Sequence, residues 1–164
     1  FVERIAKKPV STDYGDFTLY CYDDQVSQSV HVAMVKGDLT KVESPLVRVH
    51  IQDTLGDVLG VQATALGWPV TDAIRRISEE ETGIVIILRE QESSRDLMDA
   101  VEDLSLKPDQ LNEKRINDDG LRTYGVGAQI LRDLGVSQMR VLSAPKQMYA
   151  ISGFDLKITE YVEQ

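Results

Sequence analysis

The chain reads as an α/β domain in which a mixed β-sheet is covered by helices. Three observations predict it. The first half carries strand-like runs, and the second half alternates helical stripes with short apolar runs. Ile84–Leu88 is five aliphatic residues in succession, as a strand buried on both faces requires. Helix–strand–helix–strand order calls for parallel or mixed pairing with helices on the faces.

The elements follow in order. Asp16–Tyr22 is rich in aromatic and β-compatible residues and follows a Tyr14-Gly15 turn signal. Val30–Lys36 alternates weakly and ends at Gly37-Asp38, and Leu46–Ile51 alternates as a third strand. Strand-like runs split by about eight polar residues predict antiparallel neighbours. Val70, Ala73, Ile74 and Ile77 form a helical stripe, with a cap expected at Thr71 or Asp72 and a stop at Gly83. Leu97, Ala100, Val101 and Leu104 form a second stripe, ended before Lys107-Pro108. Pro108–Asp119 is polar and reads as a long loop. Val126, Ile130, Leu131 and Leu134 form a third stripe, with Gly135 as its C-cap. Met139–Leu142 is a short strand, Pro145 opens another helix that Gly153 ends, and Leu156–Val162 is a last strand.

The chain has 164 residues, 42% of them hydrophobic, enough for one domain with a real core. Residues 1–11 read as a linker-like lead-in and 12–164 as the domain. Lys plus Arg is 18 and Asp plus Glu is 27, a net charge of −9 that argues against a broad nucleic-acid or membrane surface. No apolar run approaches the roughly 20 residues of a membrane helix. The lone Cys21 excludes an intrachain disulfide and a multi-cysteine metal site. No signal peptide and no initiator Met are present, so the chain reads as a fragment, a processed product or the tail of a longer protein. The expected location is cytoplasmic.

Several stretches carry candidate chemistry. Arg48 and His50 share one face of a strand. They offer an anion contact, or two polar residues on an exposed face. Asp53 and Asp57 suit a hard cation, or an Asp-rich turn in which Gly56 takes a positive φ. Glu79-Glu80-Glu81 offers a cation site or a solvated surface. Ser143-Ala144-Pro145-Lys146 follows a strand and opens a helix; Ser143 and Lys146 suit a phosphate, or Ser143 is simply an N-cap. Arg122 and Tyr124 precede a Gly-rich approach to an amphipathic helix, which presents Arg122 to a ligand. His31 and His50 have no Cys or His neighbour at metal-ligand spacing.

Together these stretches resemble GTP cyclohydrolase II. The similarity runs in order through Thr12–Phe17, Pro45–His50, Leu55–Gly60, Ile77–Glu80 with Gly83-Ile84, and most closely Arg122–Val136 with Met139–Leu142. The resemblance implies that family's fold. It also implies imidazole-ring opening of GTP by zinc-bound water, the zinc held by three cysteines. Val2-Glu3-Arg4-Ile5 resembles the joint in fused proteins where a dihydroxybutanone phosphate synthase domain comes first. A homodimer is implied as well.

The departures fall on the chemistry. The cysteine positions correspond to Asp53, Thr64 and Leu66, and Leu66 has no donor atom. The phosphate loop of the family becomes Arg89–Leu97, with Glu92 and Asp96 at glycine positions and Ser93 at a cationic one. Pro69 replaces a glutamine beside the base, and the general-base aspartate aligns with Gly120, one residue from Asp119. Arg122 matches the family's reactive arginine. Arg48, His50, Ser143 and Lys146 remain as nucleotide contacts. The expected function is therefore a catalytically degenerate, zinc-free domain of a riboflavin-biosynthesis protein with a regulatory or assembly role and no cofactor. Its partners are a nucleotide or flavin-pathway metabolite and the synthase domain. The alternative is residual or altered GTP or nucleotide-phosphate hydrolysis with another metal, built from Asp53, Asp57 and Asp119, with Arg122 and Lys146 on phosphate. A pure interaction module is the third reading.

Overall fold

The computed structural model describes residues 2–107, 118–144, 151 and 154–164. One seven-stranded sheet organises them in the order β1-β2-β3-β5-β4-β6-β7. Its strands are β1 Val2–Thr12, β2 Gly15–Asp24, β3 Ser29–Lys36, β4 Leu46–Ile51, β5 Gly83–Leu88, β6 Gln138–Leu142 and β7 Lys157–Val162. The helices are α1 Val70–Ser78, α2 Ser94–Glu102 and α3 Asp118–Asp133. β1, β2, β3 and β5 pair antiparallel, while β5, β4, β6 and β7 pair parallel. The mixed sheet covered by helices is the expected fold class.

Several local expectations change. Residues 2–12 are not a lead-in but the edge strand β1, paired with β2 from Val2↔Asp24 to Thr12↔Gly15. Its side chains are mostly exposed, so apolar patterning is faint, and the backbone ladder rather than burial holds it. β2 and β3 are antiparallel neighbours, but β3 and β4 are not: β5 inserts between them. α1 starts after Pro69 without a side-chain cap, and it stops at Ser78; Gly83 opens β5 instead. Asp118 and Asp119 belong to α3 rather than to a loop. Residues 108–117, and the helix expected from Pro145 to Gly153 apart from Ile151, lie outside the described residues. Gly135 ends α3 at φ 84°, as expected of a C-cap.

The period-two alternation of β4 and β5 divides the core. Val47, Val49, Ile84, Ile86 and Leu88 face α3, where Val126, Ile130 and Leu131 cover them. Leu46 and Val85 face α1, where Ala73 and Ile77 cover them. Arg48 and His50 alternate with Val47 and Val49, so they project to the α1 side, beyond the end of that helix.

Candidate functional site

A cleft of about 550 Å³ opens beyond the carboxyl ends of the parallel strands β4 and β6. His50, Asp53, Asp57, Thr64, Trp68 and Ser143 are among its walls. A polar network runs through its floor. Arg48, 7% exposed, donates to the carbonyls of Leu142 and Trp68 at 3.1 Å each. It also donates to His50 Nδ1 at 3.1 Å. Since Nδ1 accepts, Nε2 carries the proton, and it donates to Asp57 at 2.8 Å. Asp57 also accepts the Asp53 amide at 2.9 Å. The Asp53 carboxylate in turn accepts the amides of Gly56 and Asp57 at 3.1 Å and caps the Thr54–Val58 turn.

The titrations follow this arrangement. Burial lowers Arg48 to about 10, with the charges of Tyr124, Asp57 and Asp53 acting against the fall. Burial pushes Asp57 up, but the His50 and Asp53 hydrogen bonds and the charge of Arg48 outweigh it, leaving Asp57 below the usual carboxylate range. Burial and the neighbouring Asp57 charge raise Asp53 above that range, against its two amide bonds.

The sequence expectations sort as follows. Arg48, His50 and Ser143 gather at the cleft. Arg48 lies beneath the walls, and Ser143 is 2% exposed with its hydroxyl donating to the Ala144 carbonyl at 3.0 Å. Lys146 lies outside the described residues. Arg122 is not among the cleft walls. It sits on α3, 2.9 Å from Asp24 and 3.7 Å from Glu90. The Asp-rich turn exists, but Gly56 is not at positive φ. Its value is space, since a Cβ there would lie 3.0 Å from Asp53 Oδ1. Glu80 is not a solvated end: Arg140 at 2.6 Å and Arg76 at 3.1 Å bracket it.

Zinc does not fit the positions at which the resemblance implies it. Leu66 offers no donor, Thr64 is a weak one, and one oxygen of Asp53 already accepts two amides. A different set, His50, Asp53 and Asp57, has ligand atoms within 4.8 Å of one another. Its histidine is in the wrong tautomer. Metal at Nε2 would place the proton on Nδ1, facing the Arg48 donor at 3.1 Å. Among the described residues the cleft walls carry Asp53, Asp57, Asp72 and Glu163 and no Lys or Arg.

Beside it lies a smaller hollow of about 320 Å³ between the Asp53–Val58 turn and the β5–α2 connection. Glu92 reaches across and accepts from the hydroxyl and amide of Thr54. Ser93 caps α2, its hydroxyl accepting the Asp96 amide while Asp96 accepts the Ser93 amide, both at 3.0 Å. The reading of the residues missed these roles. The Ser93-x-x-Asp96 spacing signals the cap, whereas nothing local signals Thr54–Glu92 or Arg122–Asp24.

Comparison with known proteins gives the chain its family and fold. The GTP cyclohydrolase II family profile matches residues 3–163. A 3,4-dihydroxy-2-butanone 4-phosphate synthase of Pseudomonas aeruginosa is 40% identical over 161 residues, and one of Pseudomonas syringae pv. tomato is 35% identical over 164; each match covers 98% of this chain and 43% of the relative. The riboflavin biosynthesis protein RibBA of Bacillus subtilis is 36% identical, over 98% of this chain and 42% of its own. The crystal structure of RibBX, a two-domain 3,4-dihydroxy-2-butanone 4-phosphate synthase from A. baumannii, aligns with TM-score 0.65 and 32% identity, over 99% of this chain and 40% of that one. The chain thus spans about two fifths of the relatives it matches.

Proposed function

The chain belongs to the GTP cyclohydrolase II family, and from that premise we propose that this domain no longer opens the purine ring but serves a riboflavin-biosynthesis protein as a regulatory or assembly module. One observation carries the reading. The side chains at the positions where the resemblance implies the family's chemistry make their hydrogen bonds with one another and with nearby backbone. Asp53 caps a turn, Glu92 holds Thr54, Ser93 and Asp96 cap α2, Arg48 holds His50, and Arg122 holds Asp24.

The companion is an N-terminal 3,4-dihydroxy-2-butanone 4-phosphate synthase domain, as relatives of more than twice this length bear that name. A cytoplasmic setting belongs to this reading, in keeping with the biosynthetic relatives. Among the described residues no helix is long and apolar enough to cross a membrane. Exposed Val58, Leu59, Met98 and Val101 support an assembly role, in a homodimer or against the companion. A nucleotide or flavin-pathway metabolite is the regulatory ligand, and the acidic cleft favours one that does not lead with phosphate.

The test is release of formate and pyrophosphate from GTP with added Zn²⁺. No turnover above background is expected, and measurable turnover ends the reading. The second reading is hydrolysis of a nucleotide phosphate with a hard cation, favoured by the Asp53 and Asp57 carboxylates, which lie together at the cleft. Calorimetry with Mg²⁺ or Mn²⁺ decides it: saturable binding that is lost in Asp53→Ala supports that reading over the first.

A further inference from the structure

We propose that His31 is a proton-operated catch on the segment that follows β5: its neutral ring holds the Arg89 amide, and protonation lets it go. His31 lies on β3 and is 0% exposed. The Arg89 N–H donates to its Nδ1 at 2.8 Å, which fixes the proton on Nε2. Nε2 has no hydrogen-bond partner, and the nearest carboxylate oxygen, Asp24 Oδ2, is 3.9 Å away. That oxygen is already taken by the Ser27 hydroxyl at 2.7 Å and Arg122 at 2.9 Å.

The charged groups around the ring act in opposite directions. Asp24 on β2 and Glu90 beyond β5 favour the imidazolium, while Arg89 beyond β5 and Arg122 on α3 oppose it. Burial then decides, and it holds the ring neutral below the usual histidine range. An entering proton has one place to go, Nδ1, where it meets the Arg89 N–H head on. Two donors face each other, so that bond breaks.

The consequence is local and directional. Arg89 is the first residue after β5. The next residues carry Glu90, which faces Arg122, Glu92, which holds Thr54, and Ser93, which caps α2. Release at Arg89 therefore loosens the strap that joins the sheet to the rim of the smaller hollow. Nothing in this depends on whether the domain has lost its chemistry.

Amide hydrogen exchange by NMR on the whole chain tests it, corrected for the intrinsic exchange rate at each pH. If the open strap leaves His31 at an ordinary value, protection at Arg89 falls about tenfold per pH unit below about 6.5. In His31→Asn the fall disappears, because Asn Oδ1 takes the place of Nδ1 and does not titrate. Unchanged protection in the wild type from pH 7.5 to 5, or the same fall in His31→Asn, overturns the proposal. Imidazole ¹⁵N shifts give a variant-free check: the Nε2–H tautomer of pH 7.5 should persist below about pH 6.5, where Arg89 protection is already falling, because the closed, buried ring takes the proton later than the open one. A ring that becomes an imidazolium while Arg89 keeps its protection also overturns the proposal.

Discussion

Asp24 is 1% exposed, and its charge is met by the Ser27 hydroxyl, the Val26 amide and the Arg122 guanidinium. Burial pushes its carboxyl up, but these partners outweigh burial and hold it below the usual range. Arg122 thus has a structural use that does not need a ligand. Arg122→Ala is expected to cost about 1–2 kcal/mol in urea unfolding. That is less than the ~3–5 kcal/mol of a fully buried pair, because the arginine side chain is 37% exposed. A double-mutant cycle with Asp24→Asn should return a favourable coupling. Additive losses would mean that the pair does not act as a unit. Asp57 makes a pH prediction. Its folded value lies below its unfolded one, so its contribution is complete above about pH 4 and drains as pH falls through the folded value. Asp57→Asn should flatten stability against pH in that acid window while leaving His50 a hydrogen-bond acceptor. An unchanged acid limb would remove Asp57 from the account.

At the scale of elements, two short contacts are informative. α2 is lightly buried, with Ala100 its only buried residue, so its capping box matters more than in a helix held by packing. Ser93→Ala should destabilise by about 1 kcal/mol and raise exchange through the first turn of α2. A melting curve that does not move would show that α2 is held by packing after all. α1 meets β5 at Gly83, where a Cβ would lie 2.6 Å from Ile77 Cγ2 and 3.0 Å from the Leu46 carbonyl. Ile77 is fully buried and cannot swing aside, so Gly83→Ala should cost about 1–3 kcal/mol.

Across the whole molecule, β1 is the element whose role differs most from its composition. Arg4 reaches from it to Asp133 at the end of α3 at 2.7 Å, and buried Tyr22 donates to the same carboxylate at 2.6 Å. The phenol is pushed above its usual range by burial and by that carboxylate. β1 therefore ties one edge of the sheet to the helix that covers it. Its free edge carries Lys7, Lys8, Pro9 and a register shift between Arg4 and Ala6, features that discourage pairing with another chain. A chain that starts at residue 13 should melt well below the full one and lose cooperativity, because β2 becomes a bare edge and Asp133 loses Arg4. A removable lead-in would leave the melting temperature unchanged.

Period-two and period-3.6 patterns were enough to identify β2–β7, the apolar faces of α1, α2 and α3, and the mixed sheet, because burial selects side chains at those spacings. The same residues carried the family resemblance, and position by position they revealed that Leu66 cannot be a ligand. β1 escaped because a backbone ladder at an exposed edge leaves little pattern in side chains. The partners of the cleft residues escaped for a different reason. Whether Arg48 meets a ligand or the Trp68 carbonyl, and whether Arg122 meets a phosphate or Asp24, depends on which groups the fold brings within about 3 Å. Those partners are 20 and 98 residues away in the chain. Hydrogen bonds and buried charges act over contact distances, so only the folded chain chooses their partners.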